Sequence, residues 1–154
     1  MSLQYLTFAL GAETFAIAIR AVKEIIGYSD VSTVPMMPED VRGVINLRGA
    51  VVPVIDLAVR FGRPAAPVGK RTCIVILEGT SGEGIHVFGV VVDAVHEVLE
   101  IAEEEVEAPP KFGASIRAEL ISGMARVNNS FVIVLDIEQL QAVDLPDEQV
   151  APAT

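Results

Sequence analysis

Apolar and polar positions alternate along most of this chain in short runs broken by glycine, proline or asparagine, the period-two pattern of half-buried strands. Gln4–Leu10 and Thr14–Ile19 flank Gly11-Ala-Glu13 and predict a hairpin, because glycine readily takes positive φ in a tight connection. Gly43–Leu47 and Ala50–Ile55 predict a second hairpin that turns at Arg48-Gly49. Arg20–Ile26 reads as a helical turn closed by Gly27. Val34–Val41 holds two prolines and reads as a rigid connector with one helical turn.

The second hairpin recurs. Val44–Leu57 aligns with Met124–Ile137 without a gap, every position shifted by 80 residues. Upstream, Phe15–Ile25 aligns with Phe88–Val98 at a shift of 73, so one intervening loop differs by seven residues. Asn128-Asn129 replaces Arg48-Gly49 at the turn, and asparagine tolerates positive φ best after glycine. Asp56 and Asp136 each end a strand before a stretch long enough for one helical turn, which suits N-caps better than a catalytic pair. A duplicated β unit is the economical reading.

A chain of 154 residues can bury a sizeable core, whereas two separate halves of about 75 residues would each be marginal. The two units are therefore expected to share an apolar seam. The apolar fraction of 51% is rich in Val and Ile and only 5% of the chain is aromatic, which favours pleated surfaces and an all-β class. No apolar run reaches the length of a membrane helix and the first residues lack a basic leader region, so a cytoplasmic protein is expected. A net charge of −10 disfavours nucleic acid and anionic lipid surfaces as partners.

Reactive chemistry is sparse. Cys73 is the only cysteine and sits in a strand-like run as a small hydrophobe. His86 and His96 lie in strand-like surroundings without neighbouring ligands, and Glu103-Glu-Glu105 with Glu107 lacks the spacing of a calcium loop. No phosphate-cradling glycine motif or hydrolase elbow occurs, so neither an enzyme, a metal nor a cofactor is expected. A binding role remains: Val22, Ile25 and Ile26 with their counterparts Val95, Val98 and Leu99 can line a groove at the seam. Arg48, a turn arginine of the kind usually just solvated, can offer its planar donor fork to a carboxylate such as Glu24 or to one on a partner.

Tyr5–Gly11, Val22-Lys-Glu-Ile25, Val34-Pro35 with Pro38, Val41–Gly49, Val52–Leu57, Phe88–Asp93 and Ile133–Asp136 together resemble the CheW family of bacterial chemotaxis coupling proteins. The resemblance runs from about Leu3 to Leu140, and Val41-Arg-Gly-Val-Ile-Asn-Leu-Arg-Gly49 is its most specific part. It implies two pseudo-repeated five-stranded SH3-like β-barrels with short helical turns, the first strand pairing with the second barrel. Residues 1–142 would form the CheW-like domain, with 7–71 as first barrel, 1–6 and 72–142 as second, and 143–154 as a flexible tail.

The resemblance further implies a non-catalytic adaptor that couples the cytoplasmic tip of methyl-accepting chemoreceptors to the regulatory domain of the histidine kinase CheA and modulates its autophosphorylation. Such an adaptor would be recruited to membrane-associated receptor arrays. Its receptor groove would fall on Val22, Glu24, Ile25, Arg48, Val95 and Val98, and its kinase-facing surface on Arg42 and Gly43. Ile26 departs from the basic residue that often follows the Glu-Ile pair in relatives. The rival reading is a tandem β-barrel module for a small molecule or oligosaccharide, which would need convergent polar groups in a pocket.

Overall fold

The computed structural model describes residues 2–28, 31–65, 67–81, 84–107, 120–127 and 129–137. Among the described residues eleven strands carry the fold: β1 (Ser2–Leu10), β2 (Glu13–Ala18), β3 (Val22–Gly27), β4 (Val41–Leu47), β5 (Ala50–Asp56), β6 (Cys73–Ser81), β7 (Gly84–Val92), β8 (Ala94–Ala102), β9 (Val106–Glu107), β10 (Ile121–Val127) and β11 (Ser130–Leu135). Among the described residues one four-residue α-helix, α1 (Leu57–Arg60), and two 3-10 turns complete the chain. The fold is all-β, as the alternation predicts.

The strands form two sheets, each an SH3-like unit. One has six strands in the order β8-β1-β2-β11-β10-β9, the other five in the order β3-β6-β7-β5-β4. The repeat explains both orders. β4 and β5 pair with Gly43 opposite Val54 and Leu47 opposite Ala50; β10 and β11 pair with Gly123 opposite Val134 and Val127 opposite Ser130, the same register 80 residues on. Each pair even shifts register at the same place, between Val41 and Gly43 in one and between Ile121 and Gly123 in the other. The parallel pairs correspond too, Val54 facing Gly89 and Val134 facing Ala16.

What the repeat does not reveal is an exchange. In chain order each copy is a hairpin, a single strand and a second hairpin, the second copy adding the two-residue β9, yet the leading hairpins trade places. β1 and β2 lie between β8 and β11, while β6 and β7 lie between β3 and β5. The crossing therefore takes a whole hairpin, and it runs both ways. By strand pairing the chain divides into 2–18 with 94–135 and 22–92, a different partition from 7–71 against 1–6 and 72–142. The cause is that β6 and β7 follow the linker in sequence but find their backbone partners in β3 and β5. Residues 138–154 and the loop over Ala108–Ser115 lie outside the described residues.

Three apolar clusters follow from this arrangement. The largest joins both sheets through Phe8, Phe15, Leu57, Leu77, Phe88 and Ile133, the expected seam. Phe15 stacks between Phe8 at 5.9 Å and Phe61 at 5.2 Å. Offset stacking of this kind adds to the burial term itself. The second cluster lies within the six-stranded sheet and holds Tyr5, Ala125, Val132 and Val134; the third, within the five-stranded sheet, holds Ile74, Ile45, Val52 and Val54 at the equivalent positions.

Three local expectations are refined. Arg20–Ile26 is a 3-10 turn over Ile19–Ala21 followed by β3, because the antiparallel ladder to β6 outweighs the helix preference of Lys and Glu. The stretch between Val34 and Val41 makes turns without a helix, with Met36 at φ 65°. Cys73 is only half-buried, and its Sγ contacts the Arg71 carbonyl at 3.1 Å.

Candidate docking surface

The positions singled out on β3 and β8 sort by the pleat. Val22 and Val95, counterparts in the repeat, point inward and pack against the shared core. Ile25 and Val98, also counterparts, point outward and are 41% and 47% exposed. Successive side chains on a strand alternate between faces, so positions three apart point to opposite sides. Both strands are outermost in their sheets, so their outward backbone groups and apolar side chains border solvent together.

Glu24, between these positions, meets Arg48 from the β4–β5 turn. Nη1 of Arg48 donates to Oε2 of Glu24 at 2.5 Å and Nη2 donates to Oε1 at 3.2 Å, a two-pronged contact. The turn that presents Arg48 is itself held: Arg48 sits at φ 52° and Gly49 at φ 87°, and the Gly49 amide donates to Oδ1 of Asn46 at 2.9 Å. That side-chain-to-backbone bond is a turn-setting device legible as Asn46-x-x-Gly49. Hydrogen bonding to Arg48 holds the Glu24 carboxyl below its ordinary value against an opposing effect of burial, and the same bond raises the Arg48 guanidinium. The pair is exposed, so it positions the turn more than it stabilises the fold.

Arg42 and Gly43, the kinase-facing expectation, stand at the start of β4. Nε of Arg42 donates to Oδ2 of Asp56 at 2.8 Å and Nη1 donates to the Tyr28 hydroxyl at 3.2 Å, with the guanidinium 5.5 Å from the Tyr28 ring centre. Burial works to lower the basicity of this guanidinium, but the bonds to Asp56 and Tyr28 outweigh it and the net direction is upward. Asp56 is 2% exposed and also caps α1, accepting from the amides of Ala58 at 3.0 Å and Val59 at 3.3 Å. Gly43 has φ 155°, and a Cβ there would lie 2.1 Å from the Ser32 carbonyl oxygen. The Arg42 guanidinium thus closes an ion pair with the buried Asp56, and Gly43 is required by close backbone approach.

Sequence reasoning also missed the ion pairs Arg60–Asp40 and Arg63–Glu13, the latter fastening the post-helix loop to the swapped hairpin. No spacing rule links residues 50 apart; only the exchange brings them together. Among the described residues no cluster of three or more His, Cys, Asp or Glu side chains could hold a metal ion. A cleft of about 520 Å³ opens between the sheets, lined by Tyr5, Arg20, Glu78, Ser122, Asp136 and apolar neighbours, and none of the six groove candidates lines it.

Fold and clamped turn define a tandem SH3-like β protein with paired edge strands. The model of the CheW-like domain matches residues 4–144. Chemotaxis protein CheW of Klebsiella aerogenes is 35% identical over 137 residues, covering 89% of this chain and 80% of that protein, and its namesake in Treponema pallidum is 36% identical over 141 residues, covering 89% and 81%. The crystal structure of the scaffolding protein TtCheW from Thermoanaerobacter tengcongensis superposes with a TM-score of 0.79 at 34% identity, covering 89% of this chain and 86% of that one. The chain belongs to the CheW-like family, whose named relatives are chemotaxis proteins. Among the described residues no helix is long and apolar enough to cross a membrane.

Proposed function

We propose that this chain is a cytoplasmic, non-catalytic adaptor that couples methyl-accepting chemoreceptors to the histidine kinase CheA and modulates kinase autophosphorylation within membrane-associated arrays. The observation that carries the reading is the two-pronged Arg48–Glu24 contact, which fixes the β4–β5 turn against β3 beside the outward Ile25. Ile25 and Val98 offer apolar anchors on two edge strands, with Val22 and Val95 supporting them from the core side. An amphipathic receptor helix can seat its apolar face on such anchors while polar groups at the rim set its register. Gly43 and Arg42 then act by shaping the first unit for the kinase, not by touching it.

The test is co-sedimentation with purified CheA and a receptor cytoplasmic fragment. The wild-type chain is expected in the pellet with both partners. Val98→Met and Arg48→Ala are expected to lose receptor-dependent kinase activation while their thermal melts stay near wild type. Failure of the wild-type chain to join either partner overturns the proposal.

A further inference from the structure

The strands β3 and β8 match residue for residue, yet each is fastened by a different bond at the same position. Glu24 on β3 and Glu97 on β8 are counterparts 73 residues apart, each followed by its outward apolar anchor, Ile25 or Val98. Each strand also carries one extra residue just there. A single step along β6, from Leu77 to Ile76, spans Val22 to Glu24, and two steps along β1, from Phe8 to Leu6, span Val95 to Val98. A bulge takes backbone groups out of the ladder, and an edge strand has a ladder on one side alone to hold its course. On β3 the Glu24 side chain is gripped by Arg48. The second copy has Asn128 in place of Arg48 and so offers no guanidinium at the matched turn.

The second unit uses Thr7 instead. Thr7 faces Ala16 as Ile76 faces Gly89, which makes Thr7 and Ile76 counterparts. Both are buried, but only Thr7 carries a hydroxyl: its Oγ1 donates to the Glu97 carbonyl at 2.8 Å and accepts from the Glu97 amide at 3.2 Å. One side chain thus takes up both backbone groups of Glu97, a residue with no ladder partner on β1. His96, Glu97 and Val98 are exposed in succession, whereas exposure alternates along β3. We infer that Thr7 is a positioning residue for docking, its hydroxyl fixing the backbone at Glu97 and so aiming the neighbouring Val98 at the receptor helix. The inference rests on the reading of Ile25 and Val98 as receptor anchors. It gives a buried threonine on β1 the part that the Arg48–Glu24 contact plays for β3.

Titration of the full chain with a receptor cytoplasmic fragment tests this, alongside hydrogen exchange at the Glu97 amide read without the fragment. Thr7→Val keeps the branched shape and removes the hydroxyl. It is expected to speed exchange at Glu97 and to bind the fragment about two- to tenfold more weakly, the worth of one net hydrogen bond, while binding CheA as the wild type does. Thr7→Ser keeps the hydroxyl and is expected to leave both readings near wild type. Undiminished fragment binding by a folded Thr7→Val protein, a Thr7→Ser protein as weak as Thr7→Val, or parallel loss of fragment and CheA binding overturns the inference. So does an unprotected Glu97 amide in the wild type, whatever the variants do. A wild-type chain that leaves the fragment unbound overturns the receptor reading itself and the inference with it; that failure is told apart because exchange at Glu97 is measured without the fragment.

Discussion

The five-stranded and six-stranded sheets are built on one register but filled differently. Ile45 in the first unit corresponds to Ala125 in the second, Ile74 to Tyr5, and Arg42 to Ser122. Backbone pairing tolerates these changes because the ladder is indifferent to which side chain stands on it, provided the apolar face stays inward. The polar slot does not tolerate them so quietly. In the first unit a buried carboxylate is closed off by its own arginine and hardened into structure; in the second the same carboxylate borders an open cleft. Duplication supplied two matched carboxylates, and divergence at the position facing them gave each different surroundings.

The strongest way to break this comparison is to attack the residues the units share. Phe15 and Phe88 are counterparts, both fully buried in the common core. Truncating either to alanine is expected to cost about 3–5 kcal/mol. Because the hairpins are exchanged, both variants should unfold the whole molecule in one transition. Chemical denaturation followed by circular dichroism checks this; a variant that melts one unit while the other persists would show the units to be independent.

Arg42→Ala sharpens the contrast between the polar slots. It leaves Asp56 buried with its helix cap but without its cation, and the expected loss is about 3 kcal/mol, the lower end for breaking a buried pair, since the cap bonds remain. The equivalent change in the second unit, Ser122→Ala, removes no buried charge partner and should barely move the melt. Equal losses for the two would deny the difference.

The smallest effect concerns the exposed pair. Glu24 has its carboxyl held below the ordinary value of 4.5, so its contribution is present above that value and is lost as pH falls through the lowered one. The clamp on the β4–β5 turn should therefore persist at neutral pH and release only in acid, with high salt weakening it at any pH. Proton NMR titration of Glu24 in wild type and Arg48→Ala checks the sign: the variant's midpoint should move upward toward 4.5.

Much of the fold was legible along the chain. Alternation gave the strands, Gly11 and Gly49 with Asn129 gave the turns, and the constant 80-residue shift foretold paired ladders whose bulges coincide. The meeting of Arg48 with Glu24 was legible only as one option, since a turn arginine can equally stay solvated or reach a partner's carboxylate. The inward commitment of Arg42 was not, because nothing in Val41-Arg-Gly43 says which face the bulge turns toward the core. Nor was the filling of the cleft, which depends on β6 lying beside the other copy's strands.

By itself, the amino-acid sequence determined the class, the duplication, the hairpin turns and the apolar stripes, all consequences of local conformational preference and a two-residue period. Only the tertiary structure decided which hairpin joins which sheet, because in a duplicated chain both hairpins satisfy both registers equally well. The choice is made by long-range pairing, β2 along β11 and β5 along β7, and by the aromatic core these crossings close.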